Sequence, residues 1–148
     1  PTGFTMGLFP PITMRREGPS FITSNPALMA TRMPLSSRPI YLPDDATRAI
    51  ADYDRKLEVI ARLYLDYDVR GVTGTTCWFS VLFEKLLAEA RRRGRRARHV
   101  RDVWPNLKVL FGGGVSAEPY LPVLRDFFGS DDFTLVDTYN ATEGGIYG

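Results

Sequence analysis

The sequence predicts an α/β fold, a partly parallel sheet with crossover helices, and three observations carry that prediction. From residue 44 onward, amphipathic helical stretches and short apolar strands alternate in the order α, β, α, β, α, β, the pattern of parallel strands joined by helical crossovers. Each of the three strands then runs into residues rich in glycine or threonine, and loops at the carboxyl ends of parallel strands can share one crevice. Finally, residues 1–43 hold eight of the eleven prolines, which rules out a long uninterrupted helix there and suits extended segments and turns.

The proline-rich segment comes first. Met6-Gly7-Leu8-Phe9, Phe21-Ile22-Thr23 and Ala27-Leu28-Met29-Ala30 are short apolar pieces that fit a brief strand or one helical turn, and no pairing is assigned to them. Residues 1–43 are expected to lie as an extended segment on an α/β nucleotide-binding portion, residues 44–148, within a single incomplete domain. Asp44-Asp45 supplies a cap and an acidic first turn for a helix over about residues 45–66, with Ile50, Tyr53, Leu57, Ile60, Ala61 and Tyr64 on its apolar face. Val69 to Val72 reads as a buried strand, followed by a Thr73-Gly74-Thr75-Thr76 turn. A second helix is expected over 77–93, on a wide stripe of Trp78, Phe79, Leu82, Phe83, Leu86, Leu87 and Ala90, with Gly94 just past its end. Pro105 to Phe111 reads as a strand broken by Gly112-Gly113-Gly114. Residues 119–128 read as a third helix closed by Gly129, and 133–139 as the last strand.

Composition narrows the function classes. The chain has 148 residues with 44% hydrophobic and 24% charged side chains, ordinary for a globular domain with a real core. No apolar run approaches the ~20 residues that span a bilayer, and no signal peptide opens the chain. One cysteine, Cys77, and one histidine, His99, exclude a disulfide framework and disfavour a structural zinc site, and they fit a cytoplasmic setting. Six of the 16 arginines fall within residues 91–98. A nucleic-acid patch needs clustered cations, but this cluster lies where a helix ends and lacks interleaved aromatics, so the macrodipole accounts for it better. No nucleic acid and no membrane are expected as partners. Cys77 reads as packing rather than a nucleophile, and His99 as a surface residue.

The stretch with the clearest chemistry is Thr138-Tyr139-Asn140-Ala141-Thr142-Glu143-Gly144-Gly145. Around a nucleotide, the Tyr139 ring can lie on a base, the Thr142 hydroxyl can meet a phosphate oxygen, and Glu143 can hold a hard cation. Its structural alternative is a strand followed by a polar turn. Thr73-Gly74-Thr75-Thr76 has the letters of a phosphate loop, but no lysine follows until Lys85, so a strand-to-helix turn competes with that reading.

Trp104 to Ser116, the helix containing Tyr120, and Thr138 to Gly144 together resemble the auxin-responsive Gretchen Hagen family of acyl-acid amido synthetases, within the adenylate-forming superfamily. The resemblance is best over about residues 69–148, and its most specific piece is Tyr139 to Glu143, similar to the family's Tyr-x-x-Ser/Thr-Glu motif. It implies adenylation of a small carboxylic acid by ATP, then amide formation with an amine or amino acid. ATP-binding residues are then Gly113, Gly114, Val115, Thr138, Tyr139, Asn140, Ala141, Thr142 and Glu143. Thr142 and Glu143 take the catalytic roles, Glu143 holds Mg²⁺, and Val72, Thr73 and Trp78 line the acyl pocket. Where the family commonly has Gly-Val-Pro-Ser-Trp, this chain has Gly71-Val72-Thr73-Gly74-Thr75-Thr76-Cys77-Trp78, which leaves the acid unspecified. The family's first phosphate motif would lie upstream of Pro1 and its small C-terminal domain after Gly148. The chain therefore reads as an interior piece, expected to be unable to adenylate alone. An acyl-CoA-type ligase and a non-catalytic α/β binding domain are the alternatives.

Overall fold

The computed structural model describes residues 3–11, 14–24, 28, 31–141 and 145–147. Its frame is a six-stranded sheet whose first five strands are parallel: β4 (Tyr41–Leu42), β1 (Phe4–Leu8), β5 (Val69–Thr75), β6 (Val109–Gly113) and β7 (Thr134–Ala141), in that spatial order. A short β8 (Gly145–Tyr147) completes it antiparallel to β7. A separate hairpin joins β2 (Met14–Glu17) to β3 (Ser20–Thr23).

The predicted α/β alternation is present, with α2 (Tyr53–Leu63), α3 (Cys77–Arg92) and α4 (Leu121–Phe128) as the crossovers. Strand register sorts the two faces of the sheet. Met6, Val72, Leu110 and Leu135 share one row. The first three are fully buried in one core with Leu57 and Ile60 of α2, Phe79, Leu82, Phe83 and Leu86 of α3, and Leu124 and Phe128 of α4, and Leu135 packs against that core. The next row, Gly7, Thr73, Phe111 and Val136, faces the other way, and Phe111 is 44% exposed there. Among the described residues no helix is long and apolar enough to cross a membrane.

Several expectations change. The single helix over 45–66 is two: α1 (Asp45–Arg48) and α2, each started by its own aspartate. Asp44 accepts from the Thr47 N–H at 2.8 Å and Asp52 from the Arg55 N–H at 2.9 Å. An aspartate whose side chain takes a helix-start N–H competes with continued helix, and Asp52 does so inside an otherwise periodic run. The proline-rich segment does more than lie on the domain, since it supplies β1, an interior strand, and β4 at the edge. The turn expected at 73–76 is largely strand, because β5 continues to Thr75. Gly74 permits this: its φ is +156°, and a Cβ there would stand 2.6 Å from the Leu8 carbonyl oxygen, so only glycine lets β1 and β5 approach so closely. The third strand also runs further than expected, past Tyr139 to Ala141.

Four of the six arginines in the tract make side-chain contacts within the fold. Arg92 and Arg93 both pair with Glu89, Arg93 and Arg95 reach Asp66, and Arg91 donates to the Ala97 carbonyl at 3.2 Å. Gly94 takes a left-handed φ of +78° just after α3. His99, read as a surface residue, is half-buried. Its Nδ1 lies 3.2 Å from the Asp126 carbonyl, and its ring occupies the space beside Gly129 that a Cβ would fill. Nearby, the fully buried Trp104 donates its indole N–H to the Tyr64 carbonyl at 3.0 Å, anchoring the connection between α3 and β6.

Candidate functional site at the carboxyl edge of the sheet

Three parallel strands finish side by side. Thr75 of β5 is paired with Gly113 of β6, and Gly113 with Thr138 of β7. Helices α3 and α4 follow the ends of β5 and β6, so their starts lie toward this same edge. The glycine-rich turn and the Tyr139 strand, far apart in sequence, are therefore neighbours.

Gly112 is buried, Gly113 half-buried, and Gly114 to Ser116 exposed, with Val115 39% accessible. The loop thus offers a short stretch of bare backbone, closed by the buried Ala117 and the 3₁₀ turn Glu118–Tyr120 that leads into α4. Tyr139 presents its ring, 66% exposed, at the same edge. A flat apolar ring beside glycine backbone suits a planar aromatic ligand. Thr138 is turned inward, its hydroxyl donating to the Gly112 carbonyl at 2.7 Å. Asn140 and Ala141 lie within β7, paired in backbone register with Ile146 and Gly145 of β8. Thr142 and Glu143, the residues assigned catalysis and metal, lie with Gly144 outside the described residues.

The β5 side carries the acyl-pocket candidates, and the fold separates them. Val72 is fully buried in the helix-facing core, whereas Thr73 is half-buried on the opposite face, between Gly7 and Phe111. Trp78, at the start of α3, packs its ring 4.4 Å from Tyr53 of α2. Cys77 is half-buried beside it, and burial, with a smaller contribution from Cys77, pushes the Tyr53 hydroxyl above the ordinary tyrosine range.

Two residues at this edge escape a reading by motif. Lys56 is 2% exposed, donates to the Phe9 carbonyl at 3.3 Å, and sits 5.5 Å over the Tyr53 ring. Burial without a carboxylate partner among the described residues holds its ammonium below the usual lysine range. Its spacing signalled this, since Lys56 falls three residues after Tyr53 and four before Ile60, on the apolar face of α2. Thr76, fully enclosed before α3, makes no side-chain cap, and its hydroxyl has no partner among the described residues. No sequence signal marks it, because a threonine preceding a helix ordinarily caps it.

Residues 44–133 match the family model described as the GH3 family N-terminal domain, more than half of the chain. No curated protein matches the sequence.

Proposed function

The chain belongs to the GH3 family, the Gretchen Hagen family of acyl-acid amido synthetases, and on that premise we propose that its sheet edge at Thr75, Gly113 and Thr138 is the nucleotide side of an ATP-dependent carbon–nitrogen ligase. The observation that supports this reading best is the register that brings the glycine loop beside the Tyr139 strand. In this reading Tyr139 packs on the adenine, and the backbone of Gly113, Gly114 and Val115 lines its other side. Thr138, Asn140 and Ala141 belong to the strand that precedes Thr142 in sequence, and the Thr142 hydroxyl would meet the α-phosphate. A carboxylate of a small acid attacks that phosphorus and pyrophosphate leaves. An amine or amino acid then attacks the acyl carbon, and AMP leaves with the amide bond formed. Glu143 would hold Mg²⁺, which supplies charge neutralisation as one anion attacks another. The acid would lie beside the end of β5, where the family resemblance assigns Val72, Thr73 and Trp78. Trp78 and Val72 are on the helix side of the sheet and Thr73 is on the other face. A single cysteine suits a reducing compartment, and we place the protein in the cytoplasm.

The test is exchange of labelled pyrophosphate into ATP by the full-length protein, dependent on an added carboxylic acid. Amines and coenzyme A, offered separately, then distinguish amide from thioester formation. Acid-dependent exchange followed by amide product is expected. Exchange that leads only to a thioester would overturn the amide step, and no exchange with any acid would overturn the adenylation.

A further inference from the structure

The glycine loop is fastened to β7 at both of its ends, by consecutive residues. Asp137 is paired with Gly112 in the sheet, and its Oδ2 accepts the Ala117 backbone N–H at 3.1 Å. Thr138 is paired with Gly113, and its hydroxyl donates to the Gly112 carbonyl at 2.7 Å. Neighbouring residues of a strand project to opposite faces, so the loop is gripped from both sides of the sheet. The fit is close: a Cβ on Gly113 would stand 2.9 Å from both the Thr138 carbonyl oxygen and its Oγ1.

These contacts separate the roles of the two residues from that of Tyr139. The Thr138 hydroxyl proton is already committed to Gly112, so Thr138 shapes the loop rather than donating to a phosphate. Ala117 is buried, and a buried N–H released from its acceptor is costly. The Asp137 carboxylate supplies that acceptor. It makes no ion pair among the described residues, and a bare negative charge there repels phosphate. Its contribution is therefore to geometry: it holds the loop where a planar ligand meets backbone, two residues before the exposed Tyr139 ring.

We propose that Asp137 is a positioning residue of the nucleotide site, setting the 113–116 backbone against Tyr139 by holding Ala117. This rests on the nucleotide reading of that edge. The experiment compares Asp137→Ala with Asp137→Asn in the full-length protein. Hydrogen exchange of the peptide covering 112–120 is read by mass spectrometry, together with ATP affinity and separate KM values for ATP and acid. The Ala variant is expected to exchange there at least tenfold faster and to raise Kd and KM for ATP about tenfold, with KM for the acid unchanged. The Asn variant keeps an acceptor oxygen and is expected to restore both. Faster exchange with unchanged ATP affinity would overturn the role, as would an Asn variant that regains protection without regaining affinity. A uniform rise of both KM values with a lower Tm would show a merely structural residue. Were the wild-type protein to bind no ATP while Ala117 protection still tracked residue 137, the nucleotide reading would fail and the tie would stand.

Discussion

The two edges of the sheet solve opposite problems. At the amino edge many of the charges are paired. Arg93 and Arg95 meet Asp66, Asp68 takes Arg70 and Asn106, and Arg101 reaches Asp132. At the carboxyl edge hydroxyls, glycines and aromatics dominate, with Lys56 and Asp137 as charges outside any ion pair among the described residues. Among those residues the Thr76 hydroxyl has no partner, Lys56 meets a carbonyl and a ring, and the Tyr139 ring is 66% exposed. The arginine-rich end, the more conspicuous in the sequence, spends Arg91, Arg92, Arg93 and Arg95 on contacts within the fold. The quieter end holds the exposed glycine loop and the Tyr139 ring, the surface on which the proposed nucleotide reading rests.

Substitutions on the two sides should separate along that line. Trp104→Ala, which empties a fully buried site near the amino edge, is expected to cost about 3–5 kcal/mol in urea unfolding. A loss under ~1 kcal/mol would show that Trp104 does not anchor the α3–β6 connection. Glu143→Gln should leave unfolding unchanged and lower ATP–pyrophosphate exchange of the full-length protein roughly 100-fold, the scale of losing a charge-stabilising group. Undiminished exchange sinks its metal role.

Smaller effects sharpen the contrast. Thr76→Val, which replaces an unpartnered buried hydroxyl with a methyl, should stabilise the fold by about 1 kcal/mol. A clear loss of Tm instead would reveal a hydrogen bond that Thr76 makes. Acid should act mainly at the paired edge. Arg92, and then Arg93, hold the Glu89 carboxyl down at about 2, against an ordinary value of 4.5. A carboxylate depressed in the folded state stabilises above its unfolded pKa, and that contribution disappears as pH falls from 4.5 toward 2. The Tm of Glu89→Gln should therefore fall less steeply over that window. Identical slopes for the variant and the wild type would refute the pairing's contribution.

Much of this was legible in the residues. The α3 stripe and Gly94 declared their helix and its end, and the glycine triplet and Tyr139 declared two parts of one edge. The boundaries were harder to read. Asp52 sits inside a periodic run, and only its capping bond shows that the run is two helices. Thr73 to Thr76 carry turn-forming letters, yet pairing with β1 and β6 keeps Thr73 to Thr75 extended.

By itself, then, the sequence determined what depends on local chemistry: helical periodicity, helix ends, the α/β order, and the motif that resembles an ATP site. Tertiary structure decided what depends on partners distant in the chain. Met6 to Leu8 became an interior strand only because β4 and β5 flank it. Asp137, unmarked in its own stretch, acquired a task only when the register set it against Gly112 and within reach of Ala117. Periodicity and capping are satisfied within a few residues, whereas a strand's place and a carboxylate's acceptor role are settled by whatever the fold brings alongside.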